Sequence, residues 1–331
     1  MTSYTHQQRA LGGAADDQAT RLRQMMQATA DRPVERNDAR FDEGSTEDRG
    51  AVLNGASMGA RTIAVASGKG GVGKTNLSVS LCHAFADMGC LTTLLDGDLG
   101  LGNADVVCGV SPKVHVGHVM AGRATVERAL YDVSAGFRLL AGASGIAQLA
   151  DLSRENQSKL LRRLEPIEKS SDVLMIDCGA GIGSHVLSFL NASDLALVVT
   201  TPEPTALTDA YALIKSLVST WEPAAMPPVE LGLVLNQVDD ASHASAVHRR
   251  LSSVCDRFLG IDLRLAGYVP YDHSVQTCVR ARRPYIVDAP KCAASKRTRR
   301  LAGDLRKRLE LSSSGESRRR GFLTRLLQGG R

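Results

Sequence analysis

Eight consecutive residues, Gly68-Lys69-Gly70-Gly71-Val72-Gly73-Lys74-Thr75, concentrate the chemistry of this chain. Glycines at this density let backbone N–H groups turn inward onto the oxygens of an anion. A helix starting where the loop ends adds the positive partial charge of its N-terminus. Lys74 is spaced to reach the β- and γ-phosphates of a nucleotide, and the Thr75 hydroxyl to ligate Mg²⁺. Gly68, Gly70, Gly71, Val72, Gly73, Lys74, Thr75 and Asn76 are therefore the expected phosphate cradle. Lys69 exceeds what such a cradle needs. A flexible stem ending in a point charge can reach phosphates held by a second, facing subunit.

Two acidic segments suit the same chemistry. Asp96-Gly97-Asp98 follows a short apolar run, and Val173-Leu174-Met175-Ile176 ends in Asp177. A Mg²⁺–triphosphate needs carboxylates that hold the metal's waters or orient the attacking water. Gly179 and Gly181 would let the backbone pass close to the γ-phosphate. The apolar run Leu233-Val234-Leu235 ends in Asn236, whose amide offers both a donor and an acceptor. Taken singly, these acids also read as strand-end caps or solvated loop residues. Their order behind the loop is what joins them.

The elements that must position these groups are legible in the hydrophobic pattern. Arg61 to Ser67 is a short β-branched apolar run, expected to be a buried strand. Asn76 to Met88 carries helical apolar spacing at Leu77, Leu81, Phe85 and Met88. Strand, glycine-rich turn and helix form the context a phosphate loop requires. Further strands are expected at 91–96, 137–141, 172–177, 194–200, 229–235 and 264–269. Helices are expected at 152–169, 182–191, 204–219, 243–258, 272–281 and 291–310. This alternation predicts an α/β fold with a mostly parallel, doubly wound sheet covered by helices on both faces.

The flanks differ from this core, which is expected to span 61–310. Residues 1–28 are polar, with a helical stretch from Asp16 to Ala28. Residues 29–60 are rich in Asp, Glu, Arg, Gly and Ser and read as a linker. A second short linker begins at 311. It precedes a tail in which Phe322, Leu323, Leu326 and Leu327 share one helical face, with arginines flanking the other. That is the make-up of an interfacial helix on anionic lipid. Four such side chains contribute at most roughly 6–12 kcal/mol on full burial, and ordering ten residues costs on the order of 1 kcal/mol each. One tail would hold weakly, and a dimer presenting two would hold well. The alternative is a helix that caps the protein's own surface.

Composition bounds the rest. The 331 residues are 43% hydrophobic and 4% aromatic, so the core should be built from Leu, Val, Ile and Ala. A net charge of +5 is too small to argue for nucleic acid by itself. The seven cysteines form no Cys-x-x-Cys pair and read as buried thiols of a reducing cytoplasm. The polar N-terminus lacks the apolar core of a signal peptide, and no apolar run reaches membrane-spanning length. His115 and His118 are spaced like metal ligands but suggest no third partner.

The segment Lys69-Gly-Gly-Val-Gly-Lys74-Thr75 resembles the deviant phosphate loop of the MinD/ParA class of ATPases. The resemblance covers about 61–310 and implies a homodimer closed face to face around two ATP molecules, with Lys69 crossing the interface. It assigns Asp98 to positioning the attacking water, Asp96 to the metal shell and Asp177 to Mg²⁺ through water. Asn236 would read the adenine edge, and the loop around Pro270 would form a second base contact.

Within that class, Asp17-Gln18-Ala19-Thr20-Arg21-Leu22-Arg23 is similar to the Asp-Gln-Ala-x-x-Leu-Arg motif of the FlhG (FleN) family. There the motif lies on a helix that stimulates the GTPase FlhF, which makes Asp17, Gln18, Leu22 and Arg23 the expected partner contacts. The segment Thr200 to Tyr211 and the tail are also similar to that family. The resemblance implies control of flagellar number and placement from the inner face of the membrane. Further partners would be basal-body proteins or a transcription factor. Three other readings compete. A DNA-partitioning ParA would use the basic stretch Lys291 to Arg308 but has no need of the Phe/Leu tail. A division-site MinD has no reason to carry Asp17–Arg23 and a linker. A cobalt/nickel or iron–sulfur carrier is disfavoured by the lack of paired cysteines.

Overall fold

The computed structural model describes residues 59–98, 102–142, 154–221, 229–311 and 321–328. The expected partner motif at Asp17, Gln18, Leu22 and Arg23, and most of the 29–60 linker, lie outside the described residues.

Among the described residues the chain builds one eight-stranded sheet. Its strands are β1 (Arg61–Ser67), β2 (Thr92–Gly97), β3 (Leu130–Ser134), β4 (Phe137–Leu140), β5 (Val173–Ala180), β6 (Leu195–Thr200), β7 (Glu230–Val238) and β8 (Arg264–Pro270). They lie side by side in the order β3-β4-β2-β5-β1-β6-β7-β8. All neighbours are parallel except β3 and β4.

The helices are α1 (Lys74–Asp87), α2 (Ala104–Cys108), α3 (Val116–Met120), α4 (Val126–Ala129), α5 (Arg154–Lys169), α6 (Ser184–Ala192), α7 (Pro204–Ser219), α8 (Ala241–Leu259), α9 (His273–Arg280), α10 (Tyr285–Asp288), α11 (Ala293–Leu311) and α12 (Phe322–Gln328).

Side-chain alternation along the strands divides the core in two. Ile63 and Val65 of β1 face the layer of α1, α10 and α11, while Ala64 and Ala66 face α5, α6, α7 and α8. With both faces covered, the central strands are apolar throughout: β6, Leu-Ala-Leu-Val-Val-Thr, is buried at every position. β1 sits between β5 and β6, so the phosphate loop leaves from the middle of the sheet, where parallel sheets place their ligands.

The expected strands are all present, with ends shifted by one to three residues. One strand was not anticipated. β3 pairs antiparallel with β4 across a tight turn at Ala135-Gly136, with Gly136 at φ 78°. At the sheet's edge β3 is half-exposed, and Asp132 and Ser134 break the apolar pattern that marks the inner strands.

The tail also differs from a free amphipathic segment. α12 packs into the protein's own core, with Phe322, Leu323 and Leu326 each 6% exposed or less. The side chain of Leu327 lies outside the described residues. The Phe322 ring stacks on Phe189 of α6 at 6.3 Å. Glu168 at the end of α5 accepts the Leu323 N–H at 2.6 Å. A side chain at Gly321 would collide with the Glu168 carboxylate, so the chain enters this helix through a glycine.

Arg325 is more deeply engaged than a flanking charge. Its guanidinium pairs with Asp194 at 3.0 Å and donates to the Ala192 carbonyl at 2.7 Å and the Thr62 hydroxyl at 3.1 Å. Asp194 in turn accepts from the backbone N–H and hydroxyl of Thr62, both at 2.8 Å. Removing one partner of such a buried pair leaves the other's charge poorly solvated, at a cost of about 3–5 kcal/mol. Arg325→Ala should therefore lower the unfolding free energy by about 3 kcal/mol in urea titration. A loss below about 1 kcal/mol, the range of an exposed pair, would contradict this packing.

Candidate functional site

The phosphate loop connects β1 to α1. Two of its glycines are demanded by close approach. A methyl group at Gly68 would overlap the backbone of Asp209 on α7, and one at Gly73 would overlap the Asn236 amide. Gly73 is also left-handed, at φ 88°, where it begins α1. Lys74, the first residue of that helix, is 7% exposed. Its ammonium lies 2.9 Å from Asp177 Oδ1, which also accepts the Ser78 hydroxyl at 3.1 Å. Asp177 Oδ2 is buried and has no hydrogen-bond partner among the described residues. A buried carboxylate oxygen facing the loop with no donor of its own fits the hydrated shell of a divalent cation.

Lys69 lies at the loop's open mouth. Its ammonium is 2.9 Å from Glu203 and 3.1 Å from the Thr205 hydroxyl, both at the start of α7. This pair is solvent-exposed, so it contributes at most about 1 kcal/mol and is easily exchanged.

The two acidic segments meet because β2 and β5 are neighbours in register, with Asp96 directly opposite Asp177. Burial, and then the charge of Asp177, push the Asp96 carboxyl up to about 6. Its oxygens accept the backbone N–H of Ala104 at 3.2 Å and of Asp98 at 3.4 Å. Asp96 thus anchors the segment that follows it as well as bordering the expected metal shell. Asp98 lies beyond, half-buried, with Oδ1 3.3 Å from the point a methyl on Gly179 would occupy. His185 Nε2 is 3.8 Å from the same point.

On the other side of the loop a cleft of about 370 Å³ is bounded by Gly73, Asn76, Asn236, Pro270 and Tyr271. Asn236 donates to the Val72 carbonyl at 2.7 Å, tying β7 to the phosphate loop. Gln237 beside it holds a left-handed φ of 59°, strained for a residue with a side chain. The ends of β7 and β8 thus bring Asn236 and Pro270 to one wall.

Sequence reasoning missed three contributors. Ser78 shares a face of α1 with Lys74 four residues earlier, a spacing that could have signalled it. Glu203 and His185 are joined to the site by the fold alone. His115 and His118 stack at 5.4 Å, and His118 Nδ1 accepts the His115 N–H at the start of α3. No cluster of metal-ligating side chains occurs among the described residues. No described helix is long and apolar enough to cross a membrane.

A glycine loop between a central parallel strand and a helix, faced by two acidic strand ends, defines a P-loop nucleotide-binding protein. The MinD cell-division ATPase of Pyrococcus furiosus matches this fold with a TM-score of 0.59 and 27% identity, over 75% of this chain and 99% of that one. Residues 60–222 match the AAA domain family. The antiactivator FleN of Pseudomonas aeruginosa is 38% identical over 235 residues, 71% of this chain and 82% of FleN. The flagellum site-determining protein YlxH of Helicobacter pylori is 33% identical over 75% of this chain and 82% of its own length. The chain belongs to the FlhG/FleN family of MinD/ParA-class P-loop ATPases, nucleotide-hydrolysing regulators with a flagellar role.

The crowding of Asp96 against Asp177 has a pH signature. A carboxyl held up to about 6, against 3.8 when unperturbed, keeps its proton more readily in the fold than in the unfolded chain. The stability this provides is complete below pH 3.8 and is lost as pH rises through about 6. In nucleotide-free protein, the melting temperature of Asp96→Asn minus that of wild type should increase from pH 5 to pH 7.5. The corresponding gain in unfolding free energy is about 1–1.5 kcal/mol, the rest of the loss falling below pH 5. A difference flat with pH would show that neither burial nor Asp177 holds the Asp96 carboxyl up.

Proposed function

We propose that the chain is an ATP-driven switch that dimerises face to face on Mg²⁺–ATP and associates with the inner face of the cell membrane. There it would set flagellar number and placement by stimulating an FlhF-type GTPase. The observation that carries this reading is Lys69, an extra cation at the exposed mouth of a complete phosphate loop.

Gly70, Gly71, Val72, Gly73 and Asn76 would cradle the phosphates, and Lys74 would leave Asp177 for the β- and γ-oxygens. Thr75 and Asp177 would hold Mg²⁺, with Asp96 bordering its shell; bound there, the ion neutralises charge on the phosphate oxygens. Asp98 would orient the attacking water in line with the γ-phosphorus, and Lys69 would leave Glu203 to steady the transferring group of the facing subunit. Asn236 and the Pro270 loop would take the base.

The tail's apolar face is stowed, so lipid contact requires α12 to undock. Moving Phe322, Leu323 and Leu326 from core to bilayer exchanges one apolar environment for another, worth roughly 1.5–3 kcal/mol per side chain in either place. A modest bias from nucleotide and dimer avidity could tip that balance. Partner activation would lie in Asp17, Gln18, Leu22 and Arg23. Basal-body proteins or a transcription factor remain candidate further partners.

The DNA-partitioning alternative loses support from α11, several of whose basic side chains are engaged within the protein. Arg299 donates to the carbonyls of Pro290 and Ile286, Arg308 pairs with Glu230 at 2.7 Å, and Arg297 lies 3.9 Å over the Tyr268 ring.

Full-length protein should co-sediment with anionic vesicles in ATP and not in ADP; equal sedimentation in both would remove the switch. Lys69→Ala should abolish the ATP-dependent dimer in light scattering, and a persisting full dimer would overturn the cross-subunit role. Asp98→Ala should slow hydrolysis by 10²-fold or more while the dimer survives. Wild-type turnover in that variant would exclude Asp98 as the water-positioning group. A peptide of residues 10–28 should accelerate GTP hydrolysis by FlhF, and no effect at saturation would end the activation claim.

A further inference from the structure

Resting on the reading above that nucleotide governs the tail, we propose that Phe189 couples the Asp96-Gly97-Asp98 segment to the docked C-terminal helix. The ring of Phe189 is fully buried and touches both. On one side its Cε2 and Cδ2 lie 3.0 and 3.5 Å from the point where a methyl on Gly97 would sit. On the other it stacks on Phe322, with centroids 6.3 Å apart and planes 26° apart.

Gly97 has little room to move without moving the ring. It is the last residue of β2, between Asp96 and Asp98, and the Asp177 carbonyl lies 3.3 Å from the same methyl point. Protein interiors are packed as densely as organic crystals, so a displacement of a few tenths of an ångström on one face of a buried ring appears on the other. Rearrangement of the acidic segment around a triphosphate therefore reaches the Phe322 stack through one side chain.

The helix that carries Phe189 reinforces this path. α6 begins just after the Gly181–Gly183 turn that follows β5, where the Gly181 N–H is held by the Ser67 carbonyl at the end of β1. It ends at Ala192, whose carbonyl accepts Arg325, and is followed by Asp194, the other Arg325 partner. One short rigid element thus spans from the phosphate loop's neighbour to the tail's socket. Bound nucleotide shifts α12 to the extent that its affinity differs between the two positions of the Phe189 ring.

Amide hydrogen exchange of residues 322–328 in the full-length protein tests this directly. Wild type should exchange there at least tenfold faster with Mg²⁺ and a nonhydrolysable ATP analogue than with ADP. Phe189→Leu, which keeps the core apolar but shortens the contact on both sides, should bring that ratio close to one. Phe322→Leu should do the same from the tail side, and it stands in if the first variant fails to fold. A tenfold ratio retained in either folded variant overturns the relay, and so does a wild-type ratio near one. Arg325→Ala opens the socket independently of Phe189 and should bind phosphatidylglycerol vesicles with either nucleotide. If it binds none, the membrane reading of the tail fails while the exchange ratios still decide the relay.

Discussion

The site is organised around a cation and an anion that have almost no water to share. Lys74 and Asp177 are both nearly buried at the carboxyl ends of the central strands, 2.9 Å apart. A buried ammonium without a partner would cost several kcal/mol, and so would the carboxylate. Each therefore fixes the other, and Ser78 completes one of the two carboxylate oxygens. The parallel register then sets Asp96 against the same charge; burial first, and that charge second, make its carboxyl hold a proton more tightly, and it leans on the backbone of the next loop. A triphosphate offers Lys74 a stronger partner, and a cation offers Asp177 one. On the proposed reading, that exchange of partners would let the protein feel nucleotide.

Much of this was legible from the sequence because its causes are local. A β-branched run, a glycine cluster and a helical apolar stripe are sufficient to place the loop between β1 and α1. The all-apolar strands of a doubly covered sheet announce themselves in the same way. β3 escaped notice because an edge strand has no such signature, being half-wet and broken by Asp132 and Ser134. The pairing of Lys69 with Glu203, and the approach of Asp98 to Gly179, depend on which strand neighbours which. No spacing in the sequence carries that information.

The tail shows a different limit. Phe322, Leu323 and Leu326 fall on one face of α12, and a one-sided apolar stripe is the same whether its counterpart is lipid or protein. What distinguishes this helix is the polar fit around it. Arg325, which reads as a solvated flank, lies nearly out of water with Asp194, Ala192 and Thr62 as partners. Glu168 caps the helix entry, and Gly321 leaves room for it. These groups are specific to a docked helix. A stripe meant for lipid alone would need none of them, so the final segment is matched to a place on its own protein.

That match bears on how the protein's C-terminus can be manipulated. Shortening the chain at the end of α11 would do more than delete the proposed anchor. It would strip a wall from the core, uncover the Phe189 ring, and strand the Asp194 carboxylate at the foot of the strand that carries the phosphate loop. A truncated protein that fails to reach the membrane, or hydrolyses differently, would be reporting on a damaged interior as much as on a missing foothold.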